Sequence, residues 1–238
     1  TLSAALADIG SRTGSASAAA STSQSVKTEA LIFQGTFNSE DWSGTLSAFP
    51  LSTSGTIGSA QWEASSLIPA ESTRTIFSFN GTTPVGIEFK FNQLSVSQQT
   101  AIGIDAENIV NYIRGDQTLE TSNGGSFRNR NSLLGDIIHS TPVAVTSSQA
   151  SPPFENLPGT EGSSYAAYVT SKSSITDTVF VGSNDGMLHA FNADTGEEIM
   201  AYVPEGVFNR LNLLTDPAYD HAFYVDGVLS AADVFFGG

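Results

Sequence analysis

Chemistry in this chain has to come from few side chains. There are three histidines, His139, His189 and His221, and no cysteine, which removes disulfides, thiolate nucleophiles and Cys-based metal sites. The histidines lack metal-ligand spacing in the sequence. Asp136, His139 and Ser140 suggest a triad. Triad members converge in space, though, and three polar residues on one short segment do not meet at one nucleophile. Asn184-Asp185-Gly186 supplies a single carboxylate, too few ligands for calcium, and reads as turn chemistry. The sequence therefore assigns no catalytic residue, no cofactor-binding residue and no metal ligand.

Three further features invite binding readings. Arg114-Gly115-Asp116 is an integrin-type adhesion tripeptide, and it is the one candidate recognition site. It follows the helical pattern Ala106, Ile109, Val110, Ile113, with Asp105 as the expected N-cap and Gly115 at the C′ position. On that pattern Gly115 ends a helix and Arg114 faces its dipole, so each residue also has a structural role. Trp42 and Trp62 read as blade-docking or core aromatics rather than sugar-stacking platforms. Arg128 and Arg130, the only close basic pair, are expected to pair with local carboxylates and hold the approach to Leu134-Gly135-Asp136. Asn80-Gly81-Thr82 matches a glycosylation sequon and reads as a hairpin turn.

The elements that position these residues are mostly strands. In "TVFVGSNDGMLHAFNADTGEEIMAY", residues 178 to 202, three β-prone runs are separated by Asn184-Asp185-Gly186 and Asp194-Thr195-Gly196. Asp-Gly between such runs marks a tight hairpin, so the stretch predicts three antiparallel strands, with Met187, His189 and Phe191 on one face. "LIFQGTFNSEDWSGTLSAFPLSTSGTIGSAQWEA", from Leu31, reads as a looser copy with longer turns. "TIFSFNGTTPVGIEFKFNQL" is a third, weaker candidate: two alternating strands around a Gly/Pro turn. Thr141 to Val145 is expected to open the second unit, and "QASPPFENLPGTEGSS" reads as a surface loop. Residues 1–25 form a helical or Ala/Ser-rich lead-in, with a short helix to about Ser11 and then helix or linker. Repeated three- or four-stranded units point to a mainly β fold, a β-propeller with a helical insertion near 95–115, and residues 26–238 supply its N-terminal blades. Two and a half blades do not close a ring, and "DVFFGG" reads as the start of another strand. The unpaired edges and uncovered blade face of such a propeller predict that the chain folds poorly alone.

Composition narrows the partners. Acidic residues outnumber basic ones 24 to 9, giving a formal net charge of −15, which repels nucleic acid and anionic membranes. No apolar run approaches the roughly 18 residues that span a bilayer, so no membrane insertion is expected. Charged residues are 14% of the chain, and Gly, Ser and Thr are plentiful, which suits a turn-rich and often extracytoplasmic β protein.

Two motif sets carry a resemblance. "AFNADTGEEIM", residues 190 to 200, resembles the quinoprotein blade motif Ala-x-Asp-x-x-Thr-Gly-x-x-x-Trp, with Asn192 for the Asp and Met200 for the docking Trp. The ordered series "DWSG" (41–44), "WEA" (62–64), "VNYIRGD" (110–116), "FRNRNSLLGDIIHSTPVAV" (127–145), "NDGMLHAF" (184–191) and "DPAYDHAFYVDG" (216–227) resembles the C-terminal propeller of the PilC/PilY family of type IV pilus tip proteins. The likeness covers nearly the whole chain and is most specific from Val110 to Gly227.

The resemblance implies an incomplete quinoprotein-like propeller in a non-enzymatic protein, exported through the periplasm to the pilus tip or cell surface. There the family promotes pilus assembly, counters retraction and contributes to adhesion or surface sensing. Its implied partners are minor pilins and host-cell or surface receptors. Family members carry a variable N-terminal region, often von Willebrand A-like, that is not in this chain. The family's Asp-x-Asp-x-Asp calcium loop is also absent here, so the resemblance assigns any calcium to the rest of the propeller and no cofactor to this chain. A pyrroloquinoline-quinone dehydrogenase fragment and an outer-membrane assembly scaffold, built on the same blade motif, are the alternatives.

Overall fold

The computed structural model describes residues 16–21, 30–80, 85–147 and 154–235. Two sheets carry the fold. The first is a four-stranded antiparallel meander of β1 (Ala16–Ser21), β2 (Ala30–Asn38), β3 (Ser43–Leu51) and β4 (Trp62–Glu63), in that order. β2 and β3 pair without interruption from Ala30↔Leu51 to Asn38↔Ser43. Gly44, Leu46 and Ala48 are buried while Ser43, Thr45 and Ser47 are half-buried, the period of two expected of a strand with one face on the core.

The second sheet has the order β6-β5-β10-β9-β8-β7. Four of its strands, β7 (Val143–Val145), β8 (Thr178–Gly182), β9 (Leu188–Asn192) and β10 (Glu198–Tyr202), form the second antiparallel blade. The hairpin of β5 (Ile76–Asn80) and β6 (Val85–Glu88) is not a blade of its own. β5 joins β10 in parallel, Ala201↔Ile76 and Tyr202↔Phe77, and extends the second blade outward.

Trp62 docks the first blade onto the second. Its indole N–H donates to the Ala193 carbonyl at 3.0 Å, and its ring lies over Gly196, where a Cβ would stand 2.6 Å from a ring carbon. Thr-Gly at this turn is therefore a seat for the indole as well as a reversal of the chain. The interblade core below it joins Phe33, Leu46 and Ala48 to Leu134, Val181 and Phe191. A second core lies on the same sheet under the helices, where Ile76, Met187 and Ala201 meet Ile109, Val110 and Phe208.

The helical insertion comprises α1 (Val96–Ile102) and α2 (Ala106–Arg114). α1 starts with a capping box, in which Ser95 Oγ accepts from the Gln98 N–H and the Ser95 N–H donates to the Gln98 side chain. Asp105 departs from its expected role. Its backbone is left-handed (φ 68°), and its carboxylate accepts from the Asn108 amide instead of a backbone N–H.

Two stretches differ from expectation more broadly. The Ala16–Ser21 tract, read as helix or linker, is strand β1, because pairing with β2 decides its conformation where its small side chains carry no pattern. The end of the region read as a loop, Thr160 to Ser164, is the first part of α3 (Thr160–Lys172). Only Gly162, Tyr165 and Lys172 of α3 are buried, so no apolar stripe announces it. The short helix expected before Ser11 lies outside the described residues, as do Gly81 and Thr82 of the sequon. Ala231 to Phe235 form no strand, and the last three residues of "DVFFGG" lie outside the described set.

Candidate functional site

The motifs converge where the first blade, α2 and the second blade meet. The centre is a chain of buried charges. His189, on the inward face of β9 and fully buried, bonds Glu198 through Nδ1 at 2.8 Å and Asp185 through Nε2 at 3.0 Å. Arg74 grips the same Glu198 carboxylate with two parallel bonds of 2.7 Å from Nε and Nη2. Its Nη1 donates to the Arg114 carbonyl at 2.9 Å.

These contacts set the protonation. Burial pushes the His189 imidazole down, but the Asp185 and Glu198 carboxylates overcome it and hold its pKa at about 9. Burial likewise pushes Glu198 up, and the bonds from His189 and Arg74 bring it down to about 2. Asp185 is lowered against its burial by His189, with a further bond from the Gly135 N–H at 3.0 Å. His189 is therefore a cation locked between two carboxylates at neutral pH. It has no free lone pair with which to act as a base.

A second knot sits beside the first. Asp136 Oδ2 accepts from Asn184 Nδ2 at 2.7 Å and pairs with His221 Nε2 at 2.9 Å; burial holds this carboxyl above its ordinary value in spite of both bonds. His221 stacks on Trp42 with ring centroids 3.7 Å apart. The chain runs so close here that a Cβ on Gly135 would stand 2.5 Å from the Asp185 nitrogen. His139 bonds Asp226 at 2.6 Å and not Asp136, and the Ser140 hydroxyl accepts the Gly182 N–H at 2.8 Å. Asp136, His139 and Ser140 thus point to three different partners, as expected for neighbours on one short segment.

The tripeptide belongs to the same junction. The Arg114 side chain is buried and bonds the Glu71 carboxylate (2.9 Å) and the carbonyls of Phe89, Glu71 and Arg74. Gly115 (φ 121°) closes a Schellman turn: its N–H reaches the Tyr112 carbonyl, and the Asp116 N–H reaches that of Asn111. Asp116 lies half-buried, accepts the Thr118 N–H, and gives its carbonyl to Arg130 Nη2. Arg130 forms the expected ion pair, with Glu120 at 2.9 Å. Arg128 does not: its guanidinium lies 4.3 Å from the Tyr219 ring centroid and has no carboxylate partner among the described residues. The helix end draws Arg130 and Glu120 together, whereas Arg128 points toward the aromatic segment 219–224.

Residues 134–238 match the family model of the PilY1 beta-propeller domain. Over 222 residues the chain is 35% identical to a type IV pilus biogenesis factor PilY1 homolog of Xylella fastidiosa, covering 93% of this chain and 18% of that protein. It is 34% identical over 227 residues to the type IV pilus biogenesis factor PilY1 of Pseudomonas aeruginosa strain PAK, covering 87% of this chain and 19% of that one. The chain belongs with the PilY1-type pilus proteins. It spans less than a fifth of the length of these relatives. No solved structure gives a significant match. The PilY1 propeller match begins at Leu134, where the chain enters the junction, and takes in the whole second blade.

Sequence reasoning missed Arg74, Glu71, Glu120 and Glu198. One signal was available. His189 falls on the same strand face as Met187 and Phe191, and a histidine inside a buried run requires charged or polar partners. Nothing local identified them, since Arg74 and Glu198 are 124 residues apart.

Proposed function

We propose that this chain is the opening part of the propeller of a type IV pilus biogenesis factor that works by surface contact, without turnover. Its likeness to PilY1 proteins over most of its length carries that reading. The junction supports it. The acids and histidines there are bonded to one another, so the site resembles a bolt between elements more than a reaction centre. On this reading the protein stands at the pilus tip or cell surface, engages minor pilins, opposes retraction and contributes to adhesion. The tripeptide 114–116, with Arg114 buried against Glu71, serves as a helix terminus ahead of any adhesive role, and any calcium is held by another part of the propeller.

Complementation tests the role. In a pilus-bearing strain lacking its PilY1-type gene, the full-length protein carrying this chain restores surface pili. The same protein with the 134–235 segment deleted does not, unless retraction is also disabled. Restored pili from the deleted form would remove the proposal. Adding pyrroloquinoline quinone and calcium to the purified protein tests the dehydrogenase alternative. Alcohol oxidation with a new absorbance band would replace the scaffold reading.

A further inference from the structure

In the first blade Trp62 lies opposite Ala48, and in the second Met200 lies opposite Ala190, each alanine being followed by a phenylalanine. Met200 therefore holds the place of the docking indole. A thioether has no N–H to donate, so the bond by which Trp62 seizes the Ala193 carbonyl has no counterpart at Met200.

The chain beyond the second blade is held by two aspartates instead. Asp226 accepts from the Ile138 and His139 N–H groups at 3.3 and 2.8 Å and bonds the His139 ring at 2.6 Å. Further on, Asp233 accepts from the Tyr165 and Tyr168 hydroxyls at 2.7 and 3.2 Å and pairs with Lys172 Nζ at 3.4 Å. Between these anchors, residues 227–232 make no backbone hydrogen bond among the described residues, and Val228 is exposed.

Tyr165, Tyr168 and Lys172 recur at i, i+3 and i+7, which places them along one face of α3. Burial pushes the Asp233 carboxyl up, but the Tyr165 bond, the Lys172 charge and the Tyr168 bond outweigh it and hold it below its ordinary value. α3 itself buries only Gly162, Tyr165 and Lys172, and two of these three grip Asp233. A helix with so thin an apolar seam opens at lower free energy than the strands of a blade.

We propose that residues 226–233 form a strap and α3 its keeper, which open and close as a unit separate from the blades. With Asp233 gripped, the chain is fixed to the second blade, the part that Trp62 plays for the first. With the grip released, α3 frays and the strap swings free while still pinned at Asp226.

Hydrogen exchange and chymotrypsin cleavage of the full-length protein carrying this chain test the strap. Asp233→Asn speeds exchange of the α3 amides at least tenfold and leaves those of β8, β9 and β10 within twofold. Cleavage after the exposed Phe235 rises at least fivefold in the same variant. Tyr168→Phe removes one hydroxyl from an exposed ring, leaves the core untouched, and speeds α3 exchange at least threefold. Asp194→Asn, the same carboxylate-to-amide change on an exposed turn of the second blade, alters it less than twofold. Unchanged α3 exchange in both Asp233→Asn and Tyr168→Phe overturns the keeper. An equal rise in α3 and in β8 to β10 overturns the separate unit, because the contact is then part of one cooperative blade.

Discussion

The two four-stranded meanders, β1 to β4 and β7 to β10, follow the same path and are held by different forces. In the first, the buried side chains of β2 and β3 are apolar apart from Gln34. The second is built around a fully buried imidazolium, with a carboxylate on each side and Arg74 beyond. The difference follows from what each sheet must hold. The first blade is built on one long hairpin and docks on the second through Trp62. The second must also secure a hairpin and helices from a remote part of the chain, and bidentate ion pairs give a directional lock that apolar contact does not.

The comparison breaks most clearly at Arg74. Arg74→Ala leaves the buried Glu198 charge half compensated and is expected to cost about 3–5 kcal/mol, with loss of hydrogen-exchange protection in both β5 and β10. Leu46→Ala in the first blade costs about 2–5 kcal/mol by cavity formation, and its penalty is the same at pH 6 and pH 9. Equal pH dependence of the two variants would erase the distinction between the blades.

A pH series sharpens it further. The His189 pKa is raised from 6.5 to about 9, so its stabilising contribution is fully present below pH 6.5 and is lost as pH rises through 9. The loss is on the order of a few kcal/mol, read as a falling melting temperature, and it is missing in His189→Gln. Glu198 works in the opposite sense: its contribution is present above 4.5 and is lost as pH falls toward 2. The smallest effects belong to the tripeptide. Gly115→Ala costs about 1 kcal/mol because φ is positive there. Asp116→Glu leaves folding and host-cell attachment nearly unchanged. Loss of attachment with an intact fold would favour the adhesive role of residues 114–116.

What the sequence reveals follows the range of each interaction. Strands 178–202 are legible because Asp-Gly and Thr-Gly turns and period-two alternation are local signals. The end of α2 is legible because Gly115 sits where an apolar stripe stops. β1 is not, since Ala and Ser carry no face and only pairing with β2 makes a strand of them. α3 is not, because Tyr165 is the single large apolar residue it buries. The ion chain is hidden for another reason. Each member looks like an ordinary surface charge until a parallel strand pair brings residues 74 and 198 together.

That parallel pair also sets an order of assembly. β5 and β6 are complete early in synthesis, but β10, the partner that pairs Ala201 with Ile76 of β5, is made only after the helices and most of the second blade. Until β10 arrives, the hairpin offers a bare edge, and Phe77 and Phe79 remain partly exposed even in the finished fold. Contacts this distant in sequence form slowly. The young chain is therefore most open to chaperone capture or mispairing in the interval between residues 80 and 198, and joining β10 to β5 ends it.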